Sequence, residues 1–435
     1  MSKLADLLYR QVWSKGIFYL SALLLNIVLA NRLYADNTGI LFFFTGNFSF
    51  LVLLFSLNAD AGITYCYAKR ETDKQSMQSF IPAWSLMITI LLTILYYFSR
   101  EMINPGGGSL IPLRSVFLFS AGTLLFSYSS AMLAAEKQFV PQNIIAAGVN
   151  ILLVIALVAG WIPSDTATIF HYFFLSYFLQ GVLLFIYFLF SGGPLSAFKF
   201  PAWPILQKIF SYSLMALAAN IVFGIYLRID YWMIQWYHLP AKELGNYLQV
   251  QKLIQQALII PGLLALTLFP LSVTVSKDNS TGLLDKLSLV TRVMNFFLIP
   301  CLVLIGISGK WLFPLVFGKS FDEMYRIFYV LAPSVILLST CTVMATYLAG
   351  RNKIRSNLIT AFIAIIITGL LCRWLIPLYG TIGAGISASL GSLVYFLALA
   401  FYFTKNTGYK AWLFIAFSFK DISKLAGIFK NRIKQ

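Results

Sequence analysis

"IPAWSLMITILLTILYYF", residues 81–98, contains no charged side chain. At about 1.5 Å of rise per residue, a helix of this run nearly crosses the ~30 Å hydrocarbon core of a bilayer. "ITAFIAIIITGLL", residues 359–371, carries the same message. Strands of a membrane barrel would alternate apolar and polar residues over about ten positions, and these runs do not. Backbone amides in lipid need partners inside their own segment, so each run reads as a helix. The surroundings agree, because 59% of the 435 residues are hydrophobic, 11% are charged and the mean hydropathy is +0.81. Such a chain is an all-α integral membrane protein with no sizeable soluble domain.

Outward from these runs, hydropathy places spans near 12–31, 40–62, 79–98, 110–133, 142–162, 168–190, 209–229, 244–272, 287–308, 327–349, 357–377 and 381–404. The eighth is long enough to tilt or break near Pro261 or Pro270. The first apolar run, residues 16–30, is followed at once by Arg32 and another span, which suits a first helix better than a signal peptide. An even number of spans puts both termini on one side. Of the 32 lysines and arginines, 21 then fall in the N-terminal-side segments and 7 in the opposite ones, which places both termini in the cytoplasm. The net charge of +17 is therefore mainly a topology signal spread over short loops, and that scatter argues against a nucleic-acid surface. The four cysteines, Cys66, Cys301, Cys341 and Cys372, lie in or beside apolar runs and read as packing residues.

The chain reads as a duplication, with twelve transmembrane helices in two pseudo-symmetric six-helix lobes around a central cavity. "LAAEKQFVPQNI" (133–144) joins spans four and five as "LAGRNKIRSNLI" (348–359) joins ten and eleven. Similarly, "ADNTGILF" (35–42) enters span two and "AKELGNYL" (241–248) enters span eight. The expected divisions are lobe 1–190, cytoplasmic linker 191–208, lobe 209–404 and a tail 405–435. In that tail aromatic and aliphatic residues, Trp412 and Phe414 among them, alternate with lysines and arginines, the pattern of an amphipathic helix on an anionic leaflet.

Charges inside spans cost roughly 2.5–3.5 kcal/mol each on insertion scales, so those that persist point inward or to water. Arg228, Lys252, Arg292 and Arg373 outnumber Asp60 and Asp230. Gln249, Lys252 and Gln256 share one helical face with Gly245; Asn220 shares one with Gly224 and Arg228; Asn295 shares one with Ser288 and Arg292. Asn26 and Asn47, with Asn58, add amides to the first two spans. These residues suit a cationic, amide-rich cavity for an anionic, hydroxyl-rich cargo. The competing account is that arginines near span ends snorkel to the interface. Asp60 and Asp230 are candidates for coupling or gating, or else plain structural caps. No HExxH, GxSxG or phosphate-loop motif occurs, His171 and His238 are far apart, and "NPGGGS" (104–109) reads as a flexible outer turn. These features argue against an enzyme, a bound cofactor and an ATP-driven pump.

The ordered set "NADAGITYCYAKR" (58–70), "RIDYWMI" (228–234), "AKELGNYLQVQKL" (241–253), "LFPL" (268–271), "LFPLVFGKSF" (312–321), "LAGRNKIRSNL" (348–358) and "IPLYGTIGAGISASL" (376–390) resembles the multidrug/oligosaccharidyl-lipid/polysaccharide exporter superfamily. Within it, the chain looks like the Wzx-type O-antigen flippases. That resemblance implies a V-shaped pair of lobes in the bacterial inner membrane working by alternating access. Its cargo would be an undecaprenyl-pyrophosphate-linked oligosaccharide, its driving force a proton or sodium gradient, and its partners membrane lipids, the polysaccharide polymerase and chain-length machinery. Lipid II flippases of the superfamily usually have fourteen spans, and drug antiporters often carry a carboxylate in the first span; this chain departs from both patterns. A multidrug or organic-cation antiporter of the same fold is the alternative. A membrane glycosyltransferase or polymerase would be expected to show a large outer loop or an acidic catalytic motif, and the chain has neither.

Overall fold

A computed structural model describes residues 2–103, 111–191, 199–265, 280–351, 353–415 and 421. The described helices are α1 (Ser2–Phe55), α2 (Ala59–Ala68), α3 (Lys74–Ile103), α4 (Leu113–Ala135), α5 (Val140–Val158), α6 (Thr166–Phe190), α7 (Trp203–Tyr226), α8 (Ile229–Trp236), α9 (Ala241–Ala257), α10 (Ser280–Phe317), α11 (Met324–Gly350) and α12 (Ile354–Thr407). Short 3₁₀ turns lie at Lys319–Phe321 and Ala411–Phe414. The "NPGGGS" turn, the "LFPL" stretch and residues 416–420 and 422–435 of the tail lie outside the described residues.

Nine described helical segments are long and apolar enough to cross a membrane. Two of them contain two spans each. The 54 residues of α1 would extend for about 80 Å if straight, far more than a bilayer core, and the chain turns at Tyr34 (φ 58°). The 54 residues of α12 turn in the same way at Gly380 (φ 56°), a left-handed conformation that glycine adopts without steric cost. The remaining span, the eighth, is helical over α9 and again over 259–265, interrupted at Leu258. The protein is thus an all-helical, multi-pass membrane protein with the twelve spans expected from hydropathy.

Two further expected spans are broken. Span 40–62 ends its first helix at Phe55, turns through Leu57 and Asn58 (φ 56° and 53°) and restarts as α2. Asparagine tolerates the left-handed region, which places the turn here. Span 209–229 breaks at Leu227 and Arg228, and α8 follows. In both cases the restarted helix carries an aspartate in its first turn, Asp60 or Asp230, where the partial positive charge of the helix N-terminus favours it.

The chain forms two compact units, Met1–Ile221 and Val222–Gln435. The division falls inside α7, beyond the 191–208 linker read from the sequence. Before Ile221, α7 is fastened to α2 and α3. The Gly62 amide donates to Ser213 Oγ at 3.1 Å, the Tyr65 and Tyr212 rings stack at 4.2 Å, and Trp84 meets Phe210 at 4.9 Å. The first unit's core is aromatic: Phe44, Phe48, Phe119 and Phe174 pack with centroids 5.1–6.2 Å apart. There α4 and α6 approach so closely that a Cβ on Gly122 would strike the Tyr177 carbonyl, and one on Gly181 would strike the Gly122 carbonyl. The second unit buries Met344, Tyr347, Tyr395, Leu399 and Phe403 together with Phe414, so the start of the tail packs into protein.

Loops of the first unit are tied by polar contacts. Lys74 pairs with Glu136 at 3.2 Å, and Glu136 also accepts from Tyr67 Oη at 2.7 Å. Lys199 pairs with Asp73 at 2.6 Å. The Lys199 ammonium, helped by Ser76, holds the Asp73 carboxyl down at about 2, against an ordinary 3.8. A depressed aspartate contributes stability above its unfolded pKa and loses it as pH falls through the folded one. Both partners are largely solvent-exposed, so the pair is worth at most about 1 kcal/mol. Melting curves should therefore show a small cost of Lys199→Ala at pH 6 that vanishes as pH falls from about 4 to 2. A cost that persists at pH 2 would mean the lysine acts through something other than this pair.

Candidate functional site

In the first unit, α1, α2, α4, α5 and α6 surround a cavity of about 520 Å³. Its wall includes Phe18, Asp60, Thr64, Thr123, Phe126, Ser127, Ser130, Gln142, Asn143, Tyr177 and Gln180. Among these described lining residues Asp60 is the one carboxylate, and there is no lysine or arginine. The restart of α2 after Asn58 brings Asp60 to the cavity, with Ser127 of α4 within hydrogen-bonding reach. The side-chain oxygens Thr123 Oγ1, Ser130 Oγ and Gln142 Oε1 are buried and have no hydrogen-bond partner among the described residues.

Behind this wall runs a buried polar ladder. Asn143 donates to Ser14 Oγ at 3.0 Å, Asn150 to Ser21 Oγ at 3.3 Å, and Gln180 to Asn150 Oδ1 at 3.1 Å. Seven-residue spacing on α1 matches seven-residue spacing on α5, so both pairs fall on facing stripes. The ladder fixes Asn143 and Gln180, which also line the cavity.

In the second unit, Asp230 is 5% exposed and its carboxylate is well supplied with donors. Tyr247 Oη donates at 2.6 Å, Gln251 Nε2 at 3.1 Å and the Tyr231 amide at 2.8 Å. Beside it lies a small space of about 50 Å³, lined in part by Tyr226, Thr368 and Ser392. On a different face of α9 from Tyr247 and Gln251, Gln249 is fully buried, and neither of its amide atoms has a partner among the described residues. Lys252 and Gln256 follow on the same face and are half-buried.

The other residues expected from the sequence are distributed as follows. Arg228 is half-buried and donates from Nη1 to the Gly224 carbonyl at 3.0 Å. Arg292 forms an ion pair with Asp421 at 3.3 Å, with side-chain exposures of 16% and 3%. Asn295 is enclosed between α10 and α11, donating to Thr340 Oγ1 at 3.1 Å and accepting from Ser339 Oγ at 2.7 Å. Arg373 is exposed, and its carbonyl accepts from Tyr237 Oη at 3.2 Å. Asn220 is exposed and donates to Asn58 Oδ1 at 3.2 Å. Asn47 is half-buried, and Asn26 is 6% exposed with both amide atoms unpartnered among the described residues.

Thus Asp60 stands in the first unit's cavity, Gln249, Lys252 and Gln256 form one stripe in the second, and Arg292 and Asn295 are engaged within their own unit. Sequence reading passed over Ser127, Gln142, Asn143, Gln180, Tyr247, Gln251 and Asp421. The Ser14/Ser21 and Asn143/Asn150 spacings were the available signal for the ladder. Nothing local to Arg292 pointed to Asp421. Removing one member of a buried pair strands the other charge, at about 3 kcal/mol or more when burial is complete. Because Arg292 keeps some solvent contact, Asp421→Ala should cost the second unit about 2 kcal/mol, read as a lowered melting temperature in detergent, and Arg292→Met with Asp421→Leu should recover most of it. An unchanged melting temperature in Asp421→Ala would show that the pair does not hold the tail.

No protein-family model matches this chain, and no curated relative matches it either. Solved structures do resemble it. A multidrug-resistance MATE-family transporter of the MOP superfamily, inward-facing, superposes with a TM-score of 0.73 at 12% identity, covering 92% of this chain and 98% of that one. The lipid II flippase MurJ in an inward closed conformation gives 0.67 at 14%, covering 97% and 89%. A MOP superfamily transporter from Pyrococcus furiosus, described as having a binding pocket of reverse polarity, gives 0.57 at 11%, covering 93% and 95%. The chain has the fold of these transporters.

Proposed function

We propose that this protein flips an undecaprenyl-pyrophosphate-linked oligosaccharide, of the O-antigen repeat-unit kind, from the cytoplasmic to the periplasmic leaflet of a bacterial inner membrane by alternating access. The observation that carries the reading is the α9 stripe. A fully buried glutamine without partners among the described residues, an ammonium and a second glutamine occupy one face of a helix inside a membrane span. A buried amide left unsatisfied costs about 1–3 kcal/mol. Such a stripe is sustained by a polar occupant, and ammonium with amides suits phosphate and sugar hydroxyls together. Arg228 extends the same chemistry at the break between α7 and α8 and Arg373 adds positive charge near a span end, whereas the charge of Arg292 is balanced by Asp421. Transport is coupled to a proton or sodium gradient, with Asp60 and Asp230 as the coupling or gating carboxylates; no cofactor takes part, and the polymerase and chain-length machinery receive the product.

A second reading, an organic-cation antiporter, is favoured by one observation: the first unit's cavity combines Asp60 with the rings of Phe18, Phe126 and Tyr177. Ligand-induced stabilisation separates the two. A ligand at a hundred times its Kd adds about 2.7 kcal/mol, so a short-chain lipid-pyrophosphate oligosaccharide should raise the melting temperature of the purified protein, and Lys252→Ala should cut the rise by about half or more. A rise produced by tetraphenylphosphonium and not by the lipid-linked saccharide would replace the flippase reading with the antiporter one.

A further inference from the structure

The coupling role leaves most of the cavity around Asp60 without a task. Its volume, about 520 Å³, lies within the roughly 300–1,000 Å³ of small-molecule sites. The wall combines one carboxylate, several hydroxyls and amides, and three aromatic rings. Three of the polar atoms, on Thr123, Ser130 and Gln142, are buried and unpartnered among the described residues, where buried polar atoms normally have partners. Two are hydroxyls, which donate or accept, and the third is an amide oxygen, which accepts; spread over α4 and α5, they suit a ligand that carries several donor–acceptor groups over its surface.

The charge of the wall decides what kind. A lone carboxylate, with no lysine or arginine among the described lining residues, repels pyrophosphate and any acidic sugar. It accepts well from sugar hydroxyls and best from an ammonium. The aromatic rings suit the C–H face of a pyranose, and a simple hydrocarbon would leave the unpartnered oxygens unsatisfied.

We propose that this cavity is a saccharide subsite that takes a neutral or amino-bearing sugar of the cargo and excludes acidic sugars, with Asp60 as the residue that sets that selectivity. The proposal rests on the flippase reading and deepens it.

The test uses the full-length protein in detergent and calorimetric titration with four lipid-free probes: a glucosamine disaccharide, its N-acetylated counterpart, a galacturonate disaccharide and tetraphenylphosphonium. The two non-acidic saccharides should bind and the galacturonate should not. Asp60→Asn should weaken the glucosamine disaccharide tenfold or more, weaken the N-acetylated one only a few-fold, and admit the galacturonate. Thr123→Val with Gln142→Leu removes unpartnered oxygens without stranding a charge, so it should keep the fold while weakening both saccharides; Lys252→Ala should change neither. Binding of tetraphenylphosphonium alone, no saccharide binding, or saccharide binding insensitive to both the Asp60 and the Thr123/Gln142 variants would each overturn the subsite. Saccharide binding as described, with no transfer of lipid-linked saccharide across vesicles, would instead sink the flippase reading and leave the subsite standing.

Discussion

Replacing Gly122 by leucine is expected to prevent the first unit from assembling, and Gly122→Ala to cost about 3 kcal/mol or more. Overpacking a core typically costs about 1–3 kcal/mol because side chains and backbone can shift. Here the obstacle is backbone itself. A Cβ at Gly122 meets the Tyr177 carbonyl and Phe178 Cα, and the reciprocal position, Gly181, meets Gly122, so neither helix has a flexible tip to move aside. Small residues at such crossings are what let membrane helices pack at all, since lipid provides no hydrophobic drive between them. Moving α4 from α6 would also open the wall that holds Thr123, Ser127 and Tyr177. The control is Gly148→Ala on α5, where an added methyl meets nothing and the better helix propensity of alanine should give a small gain. Melting in detergent checks both; a Gly122→Ala protein as stable as the parent would refute the close crossing.

The second large effect concerns transport. Lys252→Ala should lower the initial rate of lipid-linked saccharide transfer tenfold or more without loss of membrane insertion. Hydrogen bonds to charged groups are worth about 1.5–3 kcal/mol, which at about 1.4 kcal/mol per factor of ten corresponds to one or two orders of magnitude. Lys252→Arg preserves the charge and should preserve a substantial share of the rate, because a phosphate accepts from either cation. Equal loss in the alanine and arginine variants would point to shape and not charge at this position.

How much of this could be read from residues alone depends on range. Charge-free runs such as 81–98 and 359–371 revealed the helices, and the asymmetry of lysine and arginine gave the orientation expected for the loops. The glycine at position 380 lies where α12 turns. The break at Leu57 and Asn58 was hidden, because its flanks are as apolar as any span and one asparagine is a weak mark. That break carries Asp60 to the cavity. Lys252 and Gln249 were legible as a stripe because helical spacing is local. Arg292 looked equivalent by the same criterion, yet its partner Asp421 lies far along the chain, and only tertiary contact reveals it. The cavity's neutral lining was missed for a related reason: serine, threonine and glutamine in a membrane helix usually satisfy their own backbone, as Ser120 does with the Val116 carbonyl. Which of them face a void depends on packing.

The decisive measurement of flipping reconstitutes the protein in vesicles with a fluorescent short-chain lipid-pyrophosphate oligosaccharide in the outer leaflet and follows its protection from an impermeant quencher under an imposed ion gradient. Protein-dependent transfer that Lys252→Ala slows tenfold or more is the expected result. Vesicles that leave the lipid-linked saccharide in place yet accumulate tetraphenylphosphonium would contradict it.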